Sequence, residues 1–131
     1  MTGKIQFDLV SPERLLLSQP VDMVTIPGSE GYMGVMAGHM ALVSTLRAGM
    51  IDMKDNGVDT RFFIRGGFAD ISATQVTVLA EEAIPMTELD LAVLDQRIKD
   101  AQEDEIAAKT DAERLKAAQL VDDLKLVRAA F

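Results

Sequence analysis

The sequence predicts an all-β domain, a sandwich or a barrel of short strands, followed by an antiparallel hairpin of two α-helices. Three observations support this prediction. Up to residue 86, short segments alternate between apolar and polar residues, which is the period of a half-buried strand. Turn signals separate these segments and no helical pattern intervenes. From Thr87 onward, apolar residues recur at helical spacing instead.

The β region contains eight strand candidates. They are predicted at Lys4–Val10, Arg14–Ser18, Val21–Ile26, Leu42–Leu46, Met50–Lys54, Val58–Arg65, Phe68–Ser72 and Gln75–Ala80. The strongest turn signal is Asp55-Asn56-Gly57, because Asn and Gly accept the positive φ of a tight hairpin turn. Gly66-Gly67 predicts another reversal of the chain.

The helical region begins after Pro85, because proline biases the preceding residue away from helical angles. Thr87-Glu88-Leu89-Asp90 predicts the first helix start, and Thr110-Asp111-Ala112-Glu113 predicts the second. The predicted seams of the two helices are Leu91, Leu94, Ile98, Ala101 and Ala108, and then Ala117, Leu120, Val121, Leu124 and Val127. Helices joined by so short a connection fold back on each other. We therefore expect domains at 1–86 and 87–131, with an Ala-rich hairpin whose helices separate at modest cost.

Composition excludes several classes of function. The formal net charge of -8 argues against a nucleic-acid footprint, which needs a basic patch. The absence of cysteine excludes disulfides and thiolate metal sites. No apolar run approaches the roughly 20 residues that span a bilayer, and the first residues lack the features of a signal or transit peptide. We expect a soluble protein that is made and kept in the cytoplasm.

No set of residues supports catalysis or metal binding. His39 is the single histidine, and we interpret it as ordering its loop or contacting a partner. The glycines of residues 27–34 lack the Lys-Ser or Lys-Thr and the helix of a phosphate loop. The methionines Met33, Met36 and Met40 stand near Tyr32 in a predicted loop, where two interpretations remain open: a partner surface, or burial under the loop itself.

Taken in order, several blocks closely resemble the epsilon subunits of bacterial F-type ATP synthases, which are equivalent to the mitochondrial delta subunit. These blocks cover nearly all of the first 86 residues, and together they are highly specific. The helical part is similar in length and pattern, with fewer distinctive residues. The blocks are Val10–Glu13, Pro27–Gly31, Gly34-Val35, Gly38-His39, Leu46, Gly49–Ile51, Gly66–Ala69 and Val76–Glu81.

The resemblance implies a flattened ten-stranded β-sandwich with a two-helix C-terminal domain and no catalytic site or cofactor. It implies a rotor role in a proton-translocating ATP synthase, with the sandwich coupling the gamma subunit to the c ring. The helices of such subunits can extend toward the alpha and beta subunits and restrain ATP hydrolysis. The implied location is peripheral, on the cytoplasmic face of the bacterial plasma membrane, with membrane association only through the complex. We expect the rotor contacts at Tyr32, Met33, Met36, His39 and Met40.

The chain departs from the family pattern in two places. Members often have Pro where this chain has Ala37 and Ala41, which predicts a less rigid loop. The nucleotide motif of ATP-binding members aligns with residues 89–94, where Asp90 is present and Val93 replaces the arginine. Because Val93 offers no hydrogen bond to phosphate, we expect ATP to bind weakly or not at all. Arg97, one helical turn further on, offers partial compensation.

Two other classes of function compete with the rotor subunit. A free adaptor with a carbohydrate site would present exposed aromatic residues for stacking, yet the chain has no Trp and one Tyr. A small hydrolase would need a nucleophile and base around the single His39. Only the rotor subunit requires a stable complex with gamma, so co-purification separates the three hypotheses.

Overall fold

The computed structural model describes residues 3–131, which form eight strands, one 3₁₀ turn and two α-helices. Two compact units divide the chain, the first ending at Met86 and the second covering Thr87–Phe131. The strands are β1 (Ile5–Val10), β2 (Leu15–Val21), β3 (Met23–Gly28), β4 (Gly31–Val35), β5 (Leu42–Thr45), β6 (Gly49–Asp55), β7 (Val58–Ile71) and β8 (Gln75–Pro85). The helices are α1 (Leu91–Ala107) and α2 (Asp111–Ala129).

The first unit is a β-sandwich built from one continuous sheet. Its strand order is β2-β1-β8-β7-β6-β3-β4, and β5 pairs with β7 off this path. The first part of β7 pairs with β6 and its last part with β5, while β8 pairs along both parts. The long β7–β8 hairpin therefore belongs to both layers. The predicted sandwich followed by two helices is confirmed, with eight strands in the described residues instead of about ten.

Gly66 and Gly67 bend a strand and do not reverse it, so the predicted turn at this position is wrong. Strand β7 continues through both glycines, whose φ angles are +67° and +109°. A Cβ at Gly67 would lie 2.0 Å from the backbone oxygen of Leu79 on β8. Positive φ and this close approach both require glycine. The two predicted strands on either side of the glycines are one bent strand.

Alternating apolar residues of the strands form the sandwich core. Residues 5, 7 and 9 of β1 are fully buried, as the strand period predicts. Each buried Val, Leu, Ile or Phe contributes about 1.5–3 kcal/mol, so this cluster dominates the stability of the unit. Its buried members are Ile5, Phe7, Leu9, Val21, Val24, Ile26, Val35, Leu46, Ile51, Met53, Phe62, Ile64, Ala69, Ile71, Val76, Val78 and Ala80.

The hairpin turn between β6 and β7 is confirmed at Asn56-Gly57, where φ is 53° and 78°. Both residues have the positive φ of a type I′ turn. The turn is tied to two other segments. The backbone N–H of Asn56 donates to Asp22 Oδ2 at 2.8 Å, and the Lys4 ammonium bonds to the Asp55 carboxylate.

The second unit is a pair of antiparallel helices, and its first helix begins later than predicted. The cap of α1 is Asp90, whose carboxylate accepts from the N–H of Ala92 at 2.8 Å. Met86–Glu88, where the first helix was predicted to begin, form a 3₁₀ turn that precedes the capped helix. The second start is confirmed. Thr110 Oγ1 accepts from the N–H of Glu113 at 3.1 Å, the geometry of an N-cap.

The seam of the hairpin follows most of the predicted positions. Its buried apolar residues within the two helices are Leu94, Ala101, Val121, Leu124 and Val127. Leu91 is the exception, since it is 36% exposed. Asp95 near the start of α1 pairs with Arg128 near the end of α2 at 2.8 Å, which establishes the antiparallel arrangement.

The bend in β7 makes Gly67 a sensitive position. Gly67→Ala adds overpacking of about 1–3 kcal/mol to backbone strain of about 1–3 kcal/mol, so we expect the free energy of unfolding to fall by about 2–6 kcal/mol. The matched control is Gly57→Ala, where φ is also positive but nothing lies within 4 Å of the added Cβ. It should cost only about 1–2 kcal/mol. Urea unfolding of both variants measures the difference, and equal losses would contradict the close-approach argument.

A candidate protein interaction surface

An apolar row crosses the outer face of the sandwich layer that contains β5, β7, β8, β1 and β2. Side chains directly opposite each other on paired strands share a face. Phe68 on β7 lies opposite Leu79 on β8, and Leu79 lies opposite Val10 on β1. Val10 lies opposite Leu15 on the edge strand β2. The register thus aligns four apolar side chains, which we call the apolar row: Phe68, Leu79, Val10 and Leu15.

The apolar row faces solvent. Leu15 is 58% exposed, Phe68 43% and Leu79 38%, while Val10 is half-buried. The neighbours of these residues along their strands, such as Leu9, Ala69 and Val78, point to the opposite side and are buried in the core. The row is therefore additional to the core and contributes little to folding. Adjacent exposed apolar side chains of this kind make the row a candidate site of interaction.

Two carboxylates flank the apolar row: Asp70 lies two residues after Phe68 on β7, and Asp8 lies two residues before Val10 on β1. Asp70 on β7 lies opposite Thr77 on β8, and Thr77 lies opposite Asp8 on β1. Val43 on β5, opposite Asp70, is 67% exposed and extends the apolar surface. Within residues 3–131 the Asp70 side chain has neither a hydrogen-bond nor an ion-pair partner. The face therefore combines apolar area with negative charge that is not neutralised locally.

Neutral donors hold the second of these carboxylates in place. Asp8 Oδ1 accepts from Ser18 Oγ at 2.6 Å and from Gln6 Nε2 at 3.1 Å, and Asp8 Oδ2 accepts from Gln75 Nε2 at 3.0 Å. The bond from Ser18 is the largest cause of the lowered pKa of Asp8, followed by the bond from Gln6. Partial burial opposes this shift, and the bond from Gln75 adds to it. Asp8 is a fixed, ionised group.

Tyr32 and Met33 lie on strand β4 and not in the loop that the sequence predicted for them. Tyr32 is 50% exposed, and its hydroxyl accepts from the N–H of Met50 at 3.1 Å. Met33 is half-buried and packs against the core, because consecutive strand residues point to opposite sides. Both line a shallow groove of about 530 Å³ together with Leu42 and Val43 of β5.

The other predicted contacts lie in the loop after β4. Met40 is 81% exposed and Met36 47%, whereas His39 is half-buried. The Nδ1 atom of His39 lies 2.7 Å from the carbonyl oxygen of the next residue, Met40, and the backbone N–H of His39 donates to the carbonyl of Met36 at 3.1 Å. None of these three residues lines the groove beside Tyr32. The predicted set therefore splits into a strand part and a loop part.

The apolar row was not predicted from the sequence. A signal was present, since Leu79 and Phe68 occupy the solvent-facing positions of their alternating strands. Which strands lie side by side, and in which register, depends on long-range pairing that local patterns do not contain. The parallel pairing of β1 with β8 is the clearest example, because it joins segments about 70 residues apart.

The helical unit contains the position of the nucleotide motif. The Asp90 carboxylate is used as the cap of α1, and Val93 is 47% exposed on the first turn. In the part of the chain described, no group of three or more His, Asp or Glu is arranged to hold a metal ion. The helices of residues 3–131 include none that is long and apolar enough to span a membrane.

The two units define the chain as a small β-sandwich protein with a pair of helices and a candidate protein interaction surface. Residues 4–86 match the family described as ATP synthase, Delta/Epsilon chain, beta-sandwich domain. The chain is 50% identical over 129 residues to the ATP synthase epsilon chain of Parvibaculum lavamentivorans, covering 98% of both chains. It is 46% identical to that of Maricaulis maris, covering 98% and 97%. The chain belongs to the ATP synthase delta/epsilon family.

Solved structures have the same fold. A chain in the cryo-EM structure of the Euglena gracilis mitochondrial ATP synthase, OSCP/F1/c-ring, superposes with a TM-score of 0.81 at 27% identity, covering 99% of this chain and 82% of that one. A chain from the central stalk/c-ring structure of the Tetrahymena thermophila mitochondrial ATP synthase gives a TM-score of 0.72 at 17% identity, covering 98% and 97%. The second likeness supports the fold alone.

The hydrogen bonds of Asp8 predict a pH-dependent contribution to stability. A lowered folded pKa means that the stabilisation is present above the unfolded pKa of about 3.9 and is lost as the pH falls through the folded pKa. At neutral pH, Asp8→Asn should lower the free energy of unfolding by about 1 kcal/mol. Below the unfolded pKa this difference from the wild type should shrink.

Urea unfolding between about pH 7 and about pH 3 measures the contribution of Asp8. The control is Asp70→Asn on the same face, which removes a carboxylate without hydrogen-bond partners and should change stability little. A loss for Asp8→Asn that stays constant across this range would show that the ionised form is not what stabilises the fold.

Proposed function

We propose that this chain is the non-catalytic, central-stalk subunit of a proton-translocating ATP synthase. In this role the sandwich, residues 1–86, couples the gamma subunit to the c ring. Membership of the delta/epsilon family and the likeness to the Euglena subunit support this assignment. The observation that carries it is the apolar row, because exposed apolar side chains aligned across four strands present a surface suited to protein contact.

The apolar row is the surface we assign to gamma. Phe68 at its centre and Leu79 beside it supply large apolar side chains that a partner can desolvate, as in the central residues of protein interfaces. Asp8 and Asp70 lie at the edge of this area and favour a partner with Lys or Arg facing them. Because hydrogen bonds already fix Asp8, little side-chain entropy is lost when a partner cation meets it.

The second surface, assigned to the c ring, comprises the groove beside Tyr32 and the following loop. The hydroxyl of Tyr32 is held by Met50, and a Cβ at Gly49 would lie 2.6 Å from that oxygen. Tyr32 is therefore a preorganised anchor, which lowers the entropy lost on binding. Met36 and Met40 add flexible, polarisable area that adapts to a ring of repeated subunits.

The helical unit, residues 87–131, is assigned a regulatory role, in which it contacts the alpha and beta subunits and restrains ATP hydrolysis. Its exposed apolar side chains support this assignment. Ile106 is 85% exposed, Leu115 73% and Leu126 59%. We place the subunit at the cytoplasmic face of the bacterial plasma membrane, attached only through its partners.

Charge introduced into the apolar row tests the gamma assignment. Phe68→Asp should weaken co-purification with gamma by about 30-fold or more, the effect of losing a central contact worth about 2 kcal/mol. The matched control is Val58→Asp, since Val58 is 64% exposed at the other end of β7. Both variants should keep the wild-type unfolding midpoint. Wild-type binding by Phe68→Asp would remove the row from the interface.

Aspartate substitutions also distinguish the surface assigned to the c ring from the surface assigned to gamma. Tyr32→Asp combined with Met36→Asp should reduce attachment to the c ring and leave the complex with gamma intact. Met33 is unsuitable for this purpose, because it packs against the core and its replacement would also affect folding.

Truncation after Met86 tests the regulatory role. The shortened chain should fold and still bind gamma, because the core cluster and the apolar row lie within the first unit. If the helices restrain hydrolysis, the ATPase activity of the assembled enzyme should rise with the shortened chain. Unchanged activity, at equal subunit content, would argue against a restraining role and would leave the rotor assignment standing.

A further inference from the structure

One ion pair joins the start of α1 to the end of α2. We call these two ends, which lie opposite the connection between the helices, the free ends of the hairpin. Arg128 Nε in the last turn of α2 donates to Asp95 Oδ1 near the start of α1 at 2.8 Å. The Arg128 charge also suits its own helix, because a cation is favoured in the last turn. Only the closed, antiparallel hairpin brings these two ends together.

The hairpin buries few large apolar side chains, and most of these lie near the ion pair. The large, nearly fully buried side chains are Leu94 of α1 and Leu124 and Val127 of α2, each at most 2% exposed. Toward the connection between the helices, Ala101 is the buried residue of α1, and Ile106 and Leu115 are mostly exposed. Separation of the free ends would therefore expose much of the seam in one step.

A second ion pair in the same unit behaves differently. Arg114 Nη1 contacts Asp111 Oδ1 at 2.9 Å, three residues apart within α2. This pair stays intact when the helices separate, whereas the pair between Asp95 and Arg128 is broken. Salt screens both, but only the screening of the pair between helices changes the balance between closed and open hairpins.

We propose that the Asp95–Arg128 pair is an electrostatic clasp that sets the balance between closed and open hairpins and makes it sensitive to ionic strength. An exposed ion pair typically contributes 0.2–1 kcal/mol, which is a change of up to about fivefold in that balance. Such a change matters in a hairpin with so few buried side chains. The regulatory use of the clasp rests on the proposed function, but the clasp itself does not.

Distance measurement in the free, full-length chain tests the clasp. The chain has no cysteine, so Ala92→Cys and Ala129→Cys, at exposed positions near the free ends, carry two spin labels without interference. Pulsed dipolar spectroscopy then gives the populations of short and long distances. Raising the salt from about 0.01 M to about 1 M, which shortens the Debye length from about 30 to 3 Å, should raise the ratio of open to closed hairpins about two- to fivefold.

Charge variants identify the residues responsible. Arg128→Glu should raise the open fraction at low salt and reduce the salt dependence, as should Asp95→Lys. The double variant Asp95→Lys with Arg128→Glu should restore the closed population. Arg114→Glu, which breaks only the pair within α2, is the matched control and should leave the distances unchanged. Far-UV circular dichroism follows the helix content of each variant.

Two results would overturn the clasp. The first is a wild-type distance distribution that does not respond to salt, an outcome that needs no substitution at the pair. The second is a double variant that is as open as the single variants. Because the distances are measured without gamma or the c ring, failure of the rotor assignment would leave these outcomes unaffected.

Discussion

The structure of the sandwich depends on the close approach of β7 and β8 at Gly67. With the backbone of Gly67 against Leu79, one long hairpin bends into both layers and brings their buried faces together. The same register places Phe68 next to Leu79 on the outer face. The close approach of Gly67 to Leu79 therefore lies next to the Phe68–Leu79 pair at the centre of the apolar row. A side chain at Gly67 would disturb both the core and this pair.

Different interactions stabilise each of the two units internally. The sandwich buries a contiguous cluster of large side chains, so its strands form one cooperative core. The hairpin has five buried apolar residues within its helices, one of them alanine, and depends on capping bonds and an ion pair for much of the rest. Short helices need tertiary packing to persist in water. A sandwich with a large core and a hairpin with a small one agree with the proposed division of roles, in which the first unit holds partners and the second changes state.

Local signals in the sequence were sufficient for part of this structure. The alternation of β1, the turn at Asn56-Gly57 and the cap at Thr110 depend on neighbouring residues, and each was predicted correctly. Gly66-Gly67 was misinterpreted because positive φ is compatible with either a turn or a bend, and only pairing with β8 decides between them. The apolar row was missed for the same reason, since it exists only once four strands are aligned.

The distribution of charge on the sandwich separates folding from binding. Lys4 pairs with Asp22 and Asp55, and further pairs neutralise other carboxylates: Arg61–Asp52, Lys54–Asp59, Arg65–Glu81 and Arg65–Glu82. Exposed pairs of this kind contribute little to stability individually. Asp8 and Asp70 beside the apolar row have no cation partner among the described residues, nor do Glu13 and Glu30, and Arg14 next to Leu15 has no anion partner. In the proposed complex, the negative charge of Asp8 and Asp70 would accelerate the encounter with a basic partner and orient it, and desolvation of Phe68 and Leu79 would supply affinity. The proposal thus assigns orientation and affinity to adjacent residues on the same strands.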